Sequence, residues 1–149
     1  MKAAVADSPP GIVPSMPSAE DWARIEAELS HPFGRVDLRV DERWDCGLRV
    51  EPWKALQYRI CVYIDGWFRG EWIVNDCAER RRFYRRIESP LWPRAKVADV
   101  VKRFGKKEAE RLGMFKKSVH WSFSWPSARG LRRHLVKCGG SIRLLKVGP

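Results

Sequence analysis

From residue 18 onward the chain alternates between a helical and an extended hydrophobic period. Ser18 reads as an N-cap, with Glu20 and Asp21 in the first turn, where acids favour the helix dipole. Trp22, Ile25 and Leu29 follow at the i, i+3, i+7 spacing of one helix face, and Pro32 ends the pattern, so a helix is predicted over about 18–30. The period then drops to two. Val36, Leu38 and Val40 alternate with Asp37, Arg39 and Asp41; Leu48 and Val50 alternate with Arg49 and Glu51; Tyr58, Ile60, Val62 and Ile64 alternate with Arg59, Cys61 and Tyr63. Asp65-Gly66 is a strong two-residue hairpin signal, which makes Trp67 to Val74 the expected return strand. Pro52 marks a strand end or a sheet edge.

Helical spacing returns after Val74. Asn75 or Asp76 can cap a helix that runs to Arg86 or Ile87. Beyond Pro90 and Pro93, Val97, Val100, Val101 and Phe104 form an amphipathic stripe on a helix from Lys96 to Phe104. Lys106 to Leu112 reads as another short helix, closed by Gly113. Val119, Trp121 and Phe123 predict a strand over 118–124. Pro126 suits a first helical turn, with Ala128, Leu131, Leu135 and Val136 facing inward; Gly139-Gly140 ends that helix, and Ile142 and Leu144 begin a last strand. The expected fold is α+β, an antiparallel β-meander sheet packed against several helices. Residues 1–17 hold Pro9, Pro10, Pro14 and Pro17 and read as a flexible leader to a single domain over 18–149. No apolar run approaches the roughly 20 residues that span a bilayer, and no signal-peptide block is visible. The expected location is the cytoplasm.

Charge changes this picture most. The net formal charge is +11. Residues 1–74 carry 9 Lys/Arg against 12 Asp/Glu, whereas residues 75–149 carry 20 against 6. One half of the chain thus holds the whole positive excess, which suggests a face for a polyanion: nucleic acid, a nucleoprotein or an acidic protein surface. Two clusters stand out. Arg80, Arg81, Arg82, Arg85 and Arg86 fall on one predicted helix, where guanidinium groups could grip phosphates or carboxylates, or simply form a solvated face. Lys102, Arg103, Lys106, Lys107, Arg111, Lys116 and Lys117 make the second. Around Gly105 the phrase VADVVKRFGKKEAERLG is similar to a helix-turn-helix, although a recognition helix should be longer than one that stops at Gly113. There are eight tryptophans. Trp67 and Trp72 sit around the predicted hairpin; exposed, they would serve a nucleic acid or a protein hot spot, and buried they would be core.

The pattern argues against chemistry. Cys46, Cys61, Cys77 and Cys138 form no CxxC pair, and His31, His120 and His134 stand apart from them, so no metal site or cofactor is expected. There is no phosphate-binding glycine loop and no HExxH. Asp37, Asp41, Glu42, Asp45 and Glu51 are expected to balance Arg35, Arg39, Arg43 and Arg49 across the sheet. The chain reads as a binding protein, not an enzyme.

Three stretches carry a likeness: HPFGRVDLRVD (31–41), YIDGWFRGEWI (63–73), and the tail from VKRFGKKEAERLG (101–113) to WPSARGLRRHLVKCGGSIRLL (125–145). In these the chain resembles small basic accessory proteins of proteobacterial phages and prophages. The resemblance names no functional residue. It implies a protein acting on host machinery, including as an anti-CRISPR inhibitor bound to a host defence effector such as a CRISPR ribonucleoprotein. A basic surface does not suit a DNA mimic. The alternative is direct binding of DNA or RNA through the arginine helix.

Overall fold

In a computed structural model of the chain, residues 15–149 are described. The expected leader lies outside the described residues as far as residue 14. Ser15 already joins the fold, its carbonyl accepting a hydrogen bond from Ile142 N at 2.8 Å. The fold is α+β. Its elements run α1 (Ala19–Glu28), β1 (Arg35–Val40), β2 (Trp44–Lys54), β3 (Gln57–Ile64), α2 (Glu71–Val74), α3 (Ala78–Phe83), β4 (Arg85–Pro90), α4 (Arg94–Phe104), α5 (Lys106–Arg111), β5 (Lys117–Ser122), β6 (Ser124–Trp125), α6 (Ala128–Lys137) and β7 (Ile142–Val147). The stretch expected as one domain divides into two compact units: residues 15–85 with Phe123–Pro149, and Arg86–Ser122. No helix among the described residues is long and apolar enough to cross a membrane.

The first unit is built on a five-stranded sheet of order β6-β3-β2-β1-β7, antiparallel throughout. The predicted meander is its centre, and the period-two alternation decides which face is buried. Val36, Leu38, Val40, Cys46, Leu48, Val50, Ile60, Val62 and Ile64 are all buried. The Ser18 hydroxyl accepts from Asp21 N at 3.1 Å and starts α1, which contributes Trp22, Ile25 and Leu29 to the core. Leu131 and Leu135 of α6 are buried as well. Burying one such aliphatic side chain is worth roughly 2 kcal/mol, so this apolar layer is the main source of stability.

Two expected elements differ. Asp65 and Gly66 do adopt the positive φ of a tight turn, 52° and 82°. The chain nevertheless makes a single bridge, Ile64 to Trp67, and then forms α2 instead of a return strand. The reason is that the edge of β3 is already occupied. Ile60 and Cys61 pair with Trp125 and Ser124 of β6, and Val62 N donates to Phe123 O at 3.0 Å. The second difference is the arginine helix. It starts after Cys77, ends at Phe83, and gives way to β4. Arg82, Phe83 and Tyr84 are consecutive and all buried, which one helical stripe cannot achieve; Tyr84 therefore turns extended, with ψ 151°. Phe83 meets Trp44 edge-on at 5.4 Å, and Tyr84 meets Trp72 at 6.4 Å.

In the second unit β4 pairs with β5. Between them α4 and α5 meet at the single residue Gly105, whose φ of 89° is strained for any other side chain. This joint is shorter than a helix-turn-helix turn, and α5 has only six residues. The strand expected over 118–124 splits: β5 stays here, while β6 joins the large sheet.

One polar junction ties the first unit together. Arg82 Nε donates to Asp41 Oδ2 at 2.9 Å, and its two terminal nitrogens donate to Leu135 O at 2.7 Å and Gly139 O at 2.8 Å. Asp41 Oδ1 accepts in turn from Ser141 N at 3.1 Å. Removing one partner of a buried ion pair typically costs 3–5 kcal/mol. Asp41 keeps some solvent contact, so Arg82→Met is expected to lose about 3 kcal/mol, the lower end of that range. Urea denaturation of the two proteins measures it, and a loss below about 1 kcal/mol would place the junction with ordinary surface pairs.

Candidate functional site

The five arginines expected on one helix are dispersed. Arg82 is spent in the junction just described. Arg80 donates to Ile73 O at 3.3 Å and lies 3.4 Å from Asp76, which also pairs with Arg81 at 3.3 Å. Arg85 and Arg86 belong to β4. Arg85 is half-buried; its Nε is buried with no hydrogen-bond partner, and desolvation followed by the nearby Arg59 lowers its pKa. Arg86 pairs with Glu88 at 2.7 Å. Only Arg81 and Arg86 present exposed guanidinium groups, and each already has a carboxylate. The group therefore works mainly inside the fold.

The second cluster stays on the surface. The unit Arg86–Ser122 holds ten Lys/Arg and four Asp/Glu, a net of +6. Arg86, Arg103 and Arg111 pair with Glu88, Asp99 and Glu108. Arg94, Lys96, Lys102, Lys106, Lys107, Lys116 and Lys117 are exposed and make no ion pair among the described residues. Large apolar side chains lie among them. Phe104 is 62% exposed, and Leu91, Trp92, Leu112, Phe115 and Val119 are exposed too. The expected apolar stripe of α4 thus points partly to solvent, and Val97, Val100 and Val101 are only half-buried.

Trp67 and Trp72 separate. Trp67 is 65% exposed in the turn after β3. Trp72 is half-buried against Tyr84, with Arg69 at 6.0 Å from its ring. Phe68, next to Trp67, stacks on Phe123 at 4.3 Å.

The expected balance of charge across the sheet is present in part. Arg49 pairs with Asp37 and Arg39 with Asp45, each at 2.8 Å. Asp41 and Glu42 pair instead with Arg82 and Arg143, and Glu51 accepts from Tyr63 Oη. Burial and that carboxylate push the Tyr63 phenol up to about 12.

One pair of potential nucleophilic type was not foreseen. Cys138 Sγ lies 3.6 Å from His134 Nε2. The same nitrogen is 3.1 Å from Arg82 O, a carbonyl that can only accept, so Nε2 carries the proton. It is then a donor and cannot take a proton from the thiol, and the pair acts structurally. Burial pushes the thiols of Cys46 and Cys61 up to about 12, so they remain protonated. No group of three metal-ligating side chains occurs among the described residues.

A third basic group was also missed. Arg129, Arg133 and Lys137 recur four residues apart along α6 and are exposed without ion pairs among the described residues. The spacing is visible in the sequence, but the apolar positions Leu131 and Leu135 dominate the pattern there.

No protein-family model, curated protein or solved structure matches the chain. The surfaces must therefore be read from their own chemistry.

His134 makes the stability of the fold sensitive to pH. Burial lowers its pKa below the ordinary value of 6.5, outweighing the backbone carbonyls that raise it. The fold thus binds the imidazole proton less readily than the unfolded chain does, and its contribution to stability is lost as pH falls through the native pKa. Urea midpoints are expected to drop more between pH 7.5 and 5.5 for the natural chain than for His134→Gln, which does not titrate. Equal drops would show that His134 is accessible to protons in the fold.

Proposed function

We propose that this chain is a non-catalytic binding protein that docks on a host defence nucleoprotein, with Arg86–Ser122 as its contact unit. The observation that carries this reading is the coexistence of seven exposed cations that make no ion pair among the described residues and six exposed large apolar side chains in that one small unit. Cations alone would suit any polyanion. Leu91, Leu112 and Val119, however, have no π-face on which a base could stack, and they suit a protein surface. A partner that offers both apolar protein and phosphate or carboxylate charge satisfies the whole set. A ribonucleoprotein is such a partner.

The resemblance to small phage accessory proteins narrows the proposal to a CRISPR effector, bound and inhibited in the cytoplasm of the bacterial host. The lysines would meet the guide or target backbone, or an acidic patch beside it. The exposed Phe104 and Trp92 would serve as anchors, since aromatic side chains carry a large share of binding energy at interfaces. Flexible lysines suit such a role, because each acts as a point charge without demanding fixed geometry.

Affinity purification from host lysate tests the reading, run at moderate salt with and without nuclease. A host protein is expected to stay bound after nuclease treatment. Joint reversal of Lys102, Lys106, Lys107 and Lys116 to Glu is expected to lower its retention about tenfold or more. Recovery of nucleic acid alone, eluting as salt rises, would replace this proposal with direct DNA or RNA binding.

A further inference from the structure

The first unit carries a groove of about 710 Å³ beside α1 and α6, independent of the unit invoked above. Its exposed apolar lining includes Met16 and Val136, whereas Trp22, which also borders it, is buried in the core. Arg132 lies across the Trp22 ring at 4.9 Å and reaches Glu26 at 3.4 Å, so its charge is engaged within the fold. Arg129, Arg133 and Lys137 also line the groove and have no such partner.

Helix stability accounts for that row only at Lys137, which sits in the last turn of α6, where a cation suits the negative end of the dipole. Like charges four residues apart on a helix repel, by about 0.2–0.5 kcal/mol per pair. Arg129 sits in the first turn of α6, where a cation opposes the positive end of the dipole, and that turn has no acid. The three side chains are exposed on a ten-residue helix. Their arrangement has a geometric consequence instead. Residues four apart on a helix are displaced by about 6 Å along its axis. Carboxylates four apart on a second helix have the same spacing, so the row and an acidic helix edge match in register. The apolar lining beside the row would receive that helix's hydrophobic stripe.

We propose that this groove docks an amphipathic helix of a partner protein that carries Glu or Asp along one edge of its apolar face. Such a helix places anchors at i, i+3, i+4 and i+7 in the groove. Its carboxylates lie along Arg129, Arg133 and Lys137. Val136, 43% exposed beside the row, marks where the apolar stripe meets the charged edge. Residues 1–14 of this chain hold Asp7 as their single acid, offset by Lys2, and do not match the row.

Fluorescence anisotropy with the full chain tests this using three labelled 18-residue helical peptides. They share one Leu stripe, and their flanking positions are Glu, Gln or Lys. The expected order of affinity is Glu over Gln over Lys. The triple variant Arg129→Glu, Arg133→Glu, Lys137→Glu should weaken the Glu peptide about tenfold or more and favour the Lys peptide, which a merely structural row would not do. Val136→Asp, which leaves the row intact, should also weaken the Glu peptide. Circular dichroism checks that the variants fold. Equal binding of the three peptides, or no binding at 1 mM, would overturn the proposal. So would tighter binding of a single-stranded oligonucleotide than of the Glu peptide with the same dependence on the row, since that assigns the groove to nucleic acid. A concentration-dependent dimer abolished by Val136→Asp would overturn it in favour of a second copy of the chain.

Discussion

The first unit turns on one guanidinium. Arg82 joins the turn after β1, the body of α3 and the end of α6 through a single planar group. Its planar fork is what permits this, because three nitrogens donate in fixed directions at once. The junction sets the backbone around it. Asp41 holds a φ of 56°, unusual outside glycine, and its amide donates to Ser141 O at 2.7 Å. Gly140, at φ 78°, leaves the space that the Asp41 carboxylate fills; a Cβ there would overlap that carboxylate. The two carbonyls Arg82 takes up, Leu135 O and Gly139 O, lie at the end of α6, where a helix leaves its acceptors without internal partners. The placement of α6, and with it the row Arg129, Arg133 and Lys137, therefore depends on a side chain from a different element.

This dependence explains what the sequence could and could not show. Alternating patterns found β1, β2 and β3, because a half-buried strand writes its burial into every second residue. The capped start of α1 was equally legible at Ser18. The return strand after Asp65-Gly66 was not, since the edge of β3 is claimed by residues about sixty positions further on. Local pattern cannot report such competition. Arg82 shows the same limit for a site. It is flanked by Arg81 on one side and Arg80 one further back, and nothing local separates a structural arginine from exposed ones. Only the position of Asp41 does.

The two basic surfaces differ in kind as a result. In Arg86–Ser122 the cations are mostly lysines among exposed aromatic and aliphatic side chains, with little buried beyond Ala109 and Met114. On α6 the cations are mostly arginines on a helix whose opposite face, Leu131 and Leu135, is fixed in the core. The first surface can adapt to the shape of what it meets. The second offers a preset spacing. Electrostatic attraction over both would speed encounter with an acidic partner, and salt would weaken that effect within a Debye length of about 8 Å under physiological conditions.

The Arg82 junction also bears on the order in which the chain assembles. Its contacts bridge sequence separations of 41 to Asp41 and 53 and 57 to the α6 carbonyls. Closing loops of that length costs entropy before any bond is returned. The β1–β2–β3 meander, with neighbours a few residues apart, can form first and offer Asp41 as a preformed target. The arginine then fastens two segments onto a sheet that already exists. It acts as a late latch, so its loss should show mainly in how fast the folded chain opens, with little effect on how fast it forms.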